Sequence, residues 1–260
     1  MKKISKIVWF GLLLNAALVT FLWLLSSFVG SGLNYGDYDL TYSEIKSLNI
    51  MSYMALPFTI AFLIQLISLP ILFKLPKLGL VLAFVGGLVM IPLGLVFLVG
   101  FMLSYEKCIN NNLVIFSKDI ANDVSLAFHY KVASLAIQSI VFIILGVFVC
   151  SLGVQTGWLV IGAGLASLFL SFRLKGRIVI GLSQDQLIVT PANYAETYLV
   201  PLADVTLIEE NEKLFKLHIK SSGVDRKCTL RYASIIEQDY QEGVKKILAK
   251  LNKTSVLVDY

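Results

Sequence analysis

The chain has 260 residues, of which 57% are hydrophobic and only 15% charged, with a formal net charge of +5. Soluble domains carry about 25% charged residues, so this composition excludes an ordinary soluble globular protein. Length alone would allow one or two domains; composition places the larger part of the chain in a bilayer.

Five apolar stretches without Asp, Glu, Lys, Arg or His fill most of the first 172 residues. A bilayer core of about 30 Å takes about 20 apolar residues as helix. Residues 1–104 supply three such helices, at about 8–30, 51–73 and 78–103. The first, from Trp9 to Gly30, follows Lys2, Lys3 and Lys6. It exceeds the roughly 7–15-residue core of a secretory signal and reads as a retained span. The third carries Gly86-Gly87 and Ile91-Pro92-Leu93-Gly94 near its middle. Proline removes a backbone donor and crowds the preceding turn, so one kinked helix is expected there. The spans offer Asn15, Gln65 and Gln138 but no ionisable group. Proton relays and ion partners are normally built from charged residues inside the bilayer. Ion coupling is therefore not expected, while anchoring or passage of a neutral solute stays open.

Residues 105–131 form a polar loop in which Leu113–Ser117 and Leu126–Tyr130 read as extended and offer a strand to whatever follows. Residues 132–172 form a membrane hairpin, Val132 to Ser151 and Thr156 to Phe172, turned by Leu152-Gly153-Val154-Gln155-Thr156-Gly157. Gly162, Gly164, Ala166 and Ser167 give its second helix a small-residue face that allows close approach. With five spans the termini lie on opposite sides. One orientation puts seven basic residues inside, Lys46, Lys107, Lys118, Lys131, Arg173, Lys175 and Arg177, against five outside. The positive-inside rule then favours a cytoplasmic tail. The lysine-rich N-terminus and the acidic Asp37/Asp39/Glu44 loop favour the reverse.

From Arg173 the composition becomes charged and strand-like, so residues 173–260 are expected to form an aqueous domain. Strands are expected at Arg177–Ile180, Leu187–Thr190, Thr197–Val200, Val205–Glu209, Leu214–Lys220 and Lys227–Tyr232. In the last two, apolar and polar residues alternate strictly. A one-residue slip would send every side chain to the wrong face. The register therefore sets Phe215 against Leu230, Leu217 against Cys228 and Lys220 against Asp225. The outer face of this pair gathers Lys216, His218, Lys220, Lys227 and Arg231, a candidate strip for anionic lipid or a partner. Arg173, Lys175 and Arg177 form a second, juxtamembrane basic cluster. Ser234-Ile235-Ile236-Glu237 has the spacing of a capping box, followed by Ile236, Tyr240, Val244, Ile247 and Leu251 at helical spacing. A closing helix starting near Ser234 is expected, and Ser234→Ala should then cost about 1 kcal/mol.

An antiparallel sheet ending in one amphipathic helix resembles the pleckstrin-homology-like (PH-like) domains of bacterial membrane proteins. Leu182-Ser183-Gln184-Asp185-Gln186-Leu187-Ile188-Val189-Thr190 is similar to their early hairpin. Val200-Pro201-Leu202-Ala203-Asp204-Val205 resembles a recurrent segment between their strands. The likeness covers about residues 127–252, and Gln186 stands where a glycine is frequent. The resemblance implies an α-helical integral membrane protein of the bacterial inner membrane with an α+β, PH-like interaction domain. It implies a partner protein, further copies of the chain or lipid headgroups as ligands, and brings no catalytic residues or cofactor. No phosphate loop, nucleophile elbow or metal-spaced histidine pair is present. Cys108, Cys150 and Cys228 are too scattered for a disulfide framework. A channel or transporter subunit for a neutral solute is the competing expectation.

Overall fold

The structure, a computed structural model, describes residues 4–30, 41–117, 124–154, 156–237 and 240–258. It divides into two compact units, Lys3–Cys108 and Ile109–Tyr260. Among the described residues, four helical runs are long and apolar enough to cross a membrane: Lys6–Val29, Tyr42–Lys74, Ala133–Ser151 and Gly157–Leu174.

The first unit contains α1 (Lys6–Gly30), α2 (Tyr42–Tyr53), α3 (Ala55–Lys74), α4 (Pro76–Val89) and α5 (Gly94–Ile109). α2 starts where the Thr41 amide donates to Glu44 Oε2 at 2.7 Å, a glutamate reaching back to its helix terminus. α2 and α3 are separated only by a turn at Met54. The single kinked helix expected over 78–103 is instead two helices. Pro92 has no amide to continue the ladder, and the chain turns through Met90–Leu93, where the Gly94 amide donates to the Met90 carbonyl at 2.8 Å. A Cβ at position 94 would collide with the Gly87 carbonyl, so the turn closes only on glycine. α4 has 14 residues and α5 has 16. At 1.5 Å per residue these are about 21 and 24 Å, each short of a bilayer core. The expectation of five membrane-length helices is corrected accordingly.

The helices of this unit meet through small residues. Gly100 of α5 lies on the backbone of Ile7 and Val8 in α1, and Gly79 of α4 lies on Leu72 of α3. Phe97 and Phe101, both fully buried, pack with ring centroids 5.7 Å apart and planes tilted by 49° in the core.

The second unit contains two antiparallel sheets. Strands β1 (Val114–Ile115), β2 (Val124–His129), β3 (Ile178–Ser183), β4 (Gln186–Val189) and β5 (Tyr198–Pro201) form a sheet of order β1-β5-β4-β3-β2. Strands β6 (Val205–Glu210), β7 (Leu214–Ser221) and β8 (Val224–Arg231) form the second, in sequence order. Between β2 and β3 the chain makes α6 (Ala133–Ser151) and α7 (Gly157–Leu174), a tight hairpin in which Gly164 of α7 packs on Ser139 and Ile143 of α6. α8 (Tyr240–Val258) closes the chain. A domain boundary at Arg173 therefore cuts through this unit. Both extended segments before the hairpin are strands, β2 pairing with β3 and β1 with β5.

The register of β7 and β8 follows from their alternation: Phe215 faces Leu230, Leu217 faces Cys228 and Lys220 faces Asp225. Pairing runs one step further than the expected four-residue loop, to Ser221 and Val224. The hairpin closes on Ser222-Gly223, with φ of 49° and 81°, the two positive values a tight right-twisted hairpin turn demands. The inward side chains Phe215, Leu217 and Ile219 are fully buried against Val244, Ile247 and Leu251 of α8 and the inner face of the larger sheet. Each contributes about 1.5–3 kcal/mol through burial.

The capping box at Ser234 does not form. Ser234 ends a short 3-10 turn (Tyr232–Ser234), and the chain then runs extended through Ile235 beside the end of β2: the Lys131 amide donates to the Ser234 carbonyl and the Ile236 amide to the His129 carbonyl. Ile235, which would be the first helical residue after a Ser234 cap, is extended at φ −97° and ψ 139°, and α8 runs from Tyr240 with Ile236 left exposed. The Ser234 hydroxyl donates to the Arg231 carbonyl at 2.6 Å instead. Ser234→Ala is accordingly expected to change stability by less than about 0.5 kcal/mol, not the 1 kcal/mol of a lost cap. A loss of 1 kcal/mol on denaturant unfolding would restore the capping role.

Candidate functional site

Two basic clusters stood out in the sequence, and the second unit treats them differently. On the outer face of β7 and β8, Lys216, His218, Lys220, Lys227 and Arg231 do lie together. Two of them have an acidic partner close by. Lys216 Nζ lies 2.6 Å from Glu209 Oε2 on β6, and His218 Nε2 lies 2.7 Å from Asp225 Oδ1 on β8. The lysine holds the Glu209 carboxyl below its usual range, and the hydrogen bond from His218 does the same for Asp225. Lys220, Lys227 and Arg231 remain exposed, without an ion pair among the described residues. The strip is thus three exposed cations interleaved with two acidic partners, and Lys220 and Lys227 also attract Asp225.

The juxtamembrane cluster is a clamp. Arg173, at the end of α7, and Arg177, just before β3, grip opposite oxygens of Glu196, each at 2.8 Å. Arg177 Nη1 also donates to the Ala195 carbonyl at 2.9 Å, and Arg173 Nη2 to the Tyr194 carbonyl at 3.3 Å. The loop between β4 and β5 is thereby fastened to the base of α7. Only Lys175 of this cluster points freely to solvent. Burial pushes the Glu196 carboxyl up, but the hydrogen bonds and charges of the two arginines outweigh it and hold it below the usual range.

That depression sets a pH dependence. A carboxyl with a lowered folded pKa stabilises the fold above its unfolded value, about 4.3, and loses the contribution as pH falls through the folded value. Breaking a fully buried ion pair costs about 3–5 kcal/mol. With its members 15–23% exposed, Glu196→Gln is expected to cost about 2 kcal/mol at pH 7. The variant should also lose part of the acid-induced decline in stability below pH 5, seen by comparing unfolding midpoints at pH 4 and 7. An unchanged decline would place the titrating group elsewhere.

Sequence reasoning missed a further pair. Glu237 accepts from the His129 amide, 3.0 Å to each oxygen, and lies 2.8 Å from His129 Nδ1. Glu237 is the fourth residue of the failed capping box; its carboxylate serves the end of β2 instead. Burial raises its carboxyl, and the His129 contacts more than offset this.

Beside these two ion pairs the larger sheet carries an open cleft of about 440 Å³. Its lining combines apolar Phe116, Val124, Ala127 and Ile178 with polar His129, Arg177, Glu196 and Thr197. An apolar hollow with a few convergent polar groups is the usual form of a binding site. Nothing in the local sequence signals it, because its residues come from four separate segments.

The first unit buries a polar cluster between α1, α3 and α4. Asn15 Nδ2 of α1 donates to Gln65 Oε1 of α3 at 2.7 Å, and Gln65 Nε2 donates to the Gly86 carbonyl at 2.9 Å and approaches Met90 Sδ at 3.3 Å. Asn15 and Gln65 are fully buried, and Asn15 Oδ1 has no hydrogen-bond partner among the described residues. Asp37 and Asp39 of the acidic loop lie outside the described residues.

Compared with known protein families, with curated proteins and with solved structures, the chain matches none of them.

Proposed function

We propose that the chain is a membrane-anchored, non-catalytic interaction or assembly protein of the bacterial inner membrane. Its second unit would present a PH-like domain to the cytoplasm, for a partner protein, another copy of the chain or lipid headgroups. The observation that carries this reading is the insertion of the apolar hairpin α6–α7 between two neighbouring strands, β2 and β3. A domain interrupted this way is held against the bilayer at two points and keeps one face toward it. The two sheets closed by a C-terminal helix agree with the PH-like outline, and the cleft and the Lys220/Lys227/Arg231 strip are the surfaces it would offer. The three exposed cations would contribute about 1 kcal/mol each near an anionic membrane.

Site-directed photo-crosslinking on the full-length chain tests the reading. Probes replacing Thr197 at the cleft and Thr229 on the strip should each be tried, with Glu242 on the exposed side of α8 as control. A discrete adduct with protein or lipid from Thr197 or Thr229, absent from Glu242, is the expected result. Adducts of equal yield from all three positions, or from none, would overturn it.

A second reading, a subunit passing a neutral solute, has one observation in its favour. The unpartnered Asn15 Oδ1 lies in the cluster that Gln65 links to Gly86 and Met90, where the α4–α5 run breaks, and broken helices line many membrane binding sites. Glycerol flux into liposomes carrying the purified chain, abolished by Asn15→Leu, would favour it.

A further inference from the structure

We propose that α4 and α5 form a re-entrant hairpin that enters and leaves the bilayer on one side, so the chain crosses only four times and both termini face the cytoplasm. This rests on the membrane reading above but not on the PH-like one.

The contacts inside the first unit fix the depth of each helix. At one end, the Ser5 amide donates to Ser104 Oγ at 3.0 Å, and Cys108 Sγ lies 3.5 Å from the Leu72 carbonyl. Gly79 packs on that same Leu72. The start of α1, the end of α3, the start of α4 and the end of α5 therefore share a level. Farther in, Gly100 meets Val8, and Gly11 meets Phe97. Farther still, Asn15, Gln65, Gly86 and Met90 are joined by the hydrogen bonds of the buried cluster. The far end is marked by Trp23 Nε1 of α1 donating to Thr59 Oγ1 of α3 at 2.9 Å.

The turn at Met90–Leu93 is thus the innermost point of the α4–α5 pair. From Gly79 to Met90 the helix rises about 16 Å at 1.5 Å per residue, which is roughly half of a 30 Å core. Backbone that leaves the helical pattern at such depth is tolerated where protein covers it or where it lines a water-filled cavity, and its freed polar groups need partners. Gln65 meets that need by donating to the Gly86 carbonyl at the end of α4.

The charge distribution supports the same topology. Because α5 returns to the side it came from, Lys107 joins Lys2, Lys3, Lys6, Lys74 and Lys77. The segment from Asn110 to Lys131 holds three consecutive asparagines, Lys118, Asp119 and Asp123, too polar to cross. Lys118 and Lys131 therefore lie on that side as well. β2 and β3 are adjacent strands, so both ends of α6–α7 open there too, adding Arg173, Lys175 and Arg177. Eleven basic residues then face one side, and Lys46 alone, among Asp37, Asp39 and Glu44, faces the other. Five crossings split the same residues seven to five. The positive-inside rule is obeyed clearly only by the re-entrant arrangement.

Cysteine accessibility in the full-length chain decides the matter. Lys77→Cys, Asn111→Cys and Lys46→Cys are introduced singly after replacing Cys108 and Cys150 with Ala. Cys228 can stay, since burial pushes its thiol up to about 11. A membrane-impermeant maleimide should label Lys46→Cys in intact cells, and label Lys77→Cys and Asn111→Cys only after permeabilisation. Lys107→Cys replaces Asn111→Cys if that variant fails to accumulate. Asn111→Cys labelling together with Lys46→Cys would mean five crossings and overturn the hairpin. Labelling of Lys77→Cys and Asn111→Cys from outside would overturn the orientation. A chain released by alkaline carbonate would overturn the membrane reading itself.

Discussion

Phe215→Ala is expected to accelerate the modification of Cys228 by a thiol reagent by roughly two to three orders of magnitude. Phe215 is fully buried, sits opposite Leu230 and packs its ring 5.2 Å from that of Tyr232. Truncating such a phenylalanine costs about 3–5 kcal/mol, since the ring's burial is lost and a cavity remains. Cys228 lies on the next strand, 2% exposed, with a thiol that burial makes a poor nucleophile. It reacts when the sheets and α8 open, so its rate reports the opening free energy. Each 1.4 kcal/mol of destabilisation is a factor of ten. A rise below about tenfold would mean that the sheet collapses around the missing ring and that Phe215 is not the centre of this core.

Gly100→Leu is expected to separate α1 from α5. A Cβ at position 100 would fall within 2.9 Å of Val8 Cα and closer still to the neighbouring backbone. Backbone cannot change rotamer to make room, so the helices must move apart. Overpacking of this kind costs about 3 kcal/mol, at the upper end for such changes, and a small-residue contact is what holds helix pairs together where no water drives them. Ser5 and Ser104 supply the readout, because their atoms are in hydrogen-bond contact at the same interface. A Ser5→Cys/Ser104→Cys pair should form a disulfide readily under mild oxidation, and Gly100→Leu should abolish it. Crosslinking at the unaltered rate would show that the helices do not depend on this contact.

These two sites differ in how far the sequence exposed them. The register of β7 and β8 was legible because its alternation allows one pairing only, and the six expected strands of the tail are all present within a few residues. The contact at Gly100 was not legible, since a glycine in an apolar run records no partner. The break at Pro92 was visible as chemistry and misread as geometry: hydropathy registers depth but carries no sign for direction. The clamp on Glu196 was hidden because its partners lie 19 and 23 residues away, across two strands. Arg173 and Arg177 therefore looked like free charge. The capping box failed for a different reason. Its residues have the right spacing, but Ser234–Ile236 follow the end of β2, and that pairing outranks a local signal.

The order of strands in the larger sheet has a consequence for how the protein is made. β2 leaves the ribosome before the hairpin and β3 after it, about fifty residues later. At about 5–20 residues per second, β2 is without its neighbour for roughly three to ten seconds while α6 and α7 are synthesised. In the proposed topology those seconds also hold the insertion of two helices into the bilayer. During that interval β2 is an unpaired edge carrying Val124, Leu126 and Phe128, the kind of edge that recruits other chains. Any delay in inserting α6–α7 lengthens this exposure. Slow membrane insertion would therefore show itself first as aggregation of the aqueous sheet rather than of the apolar helices.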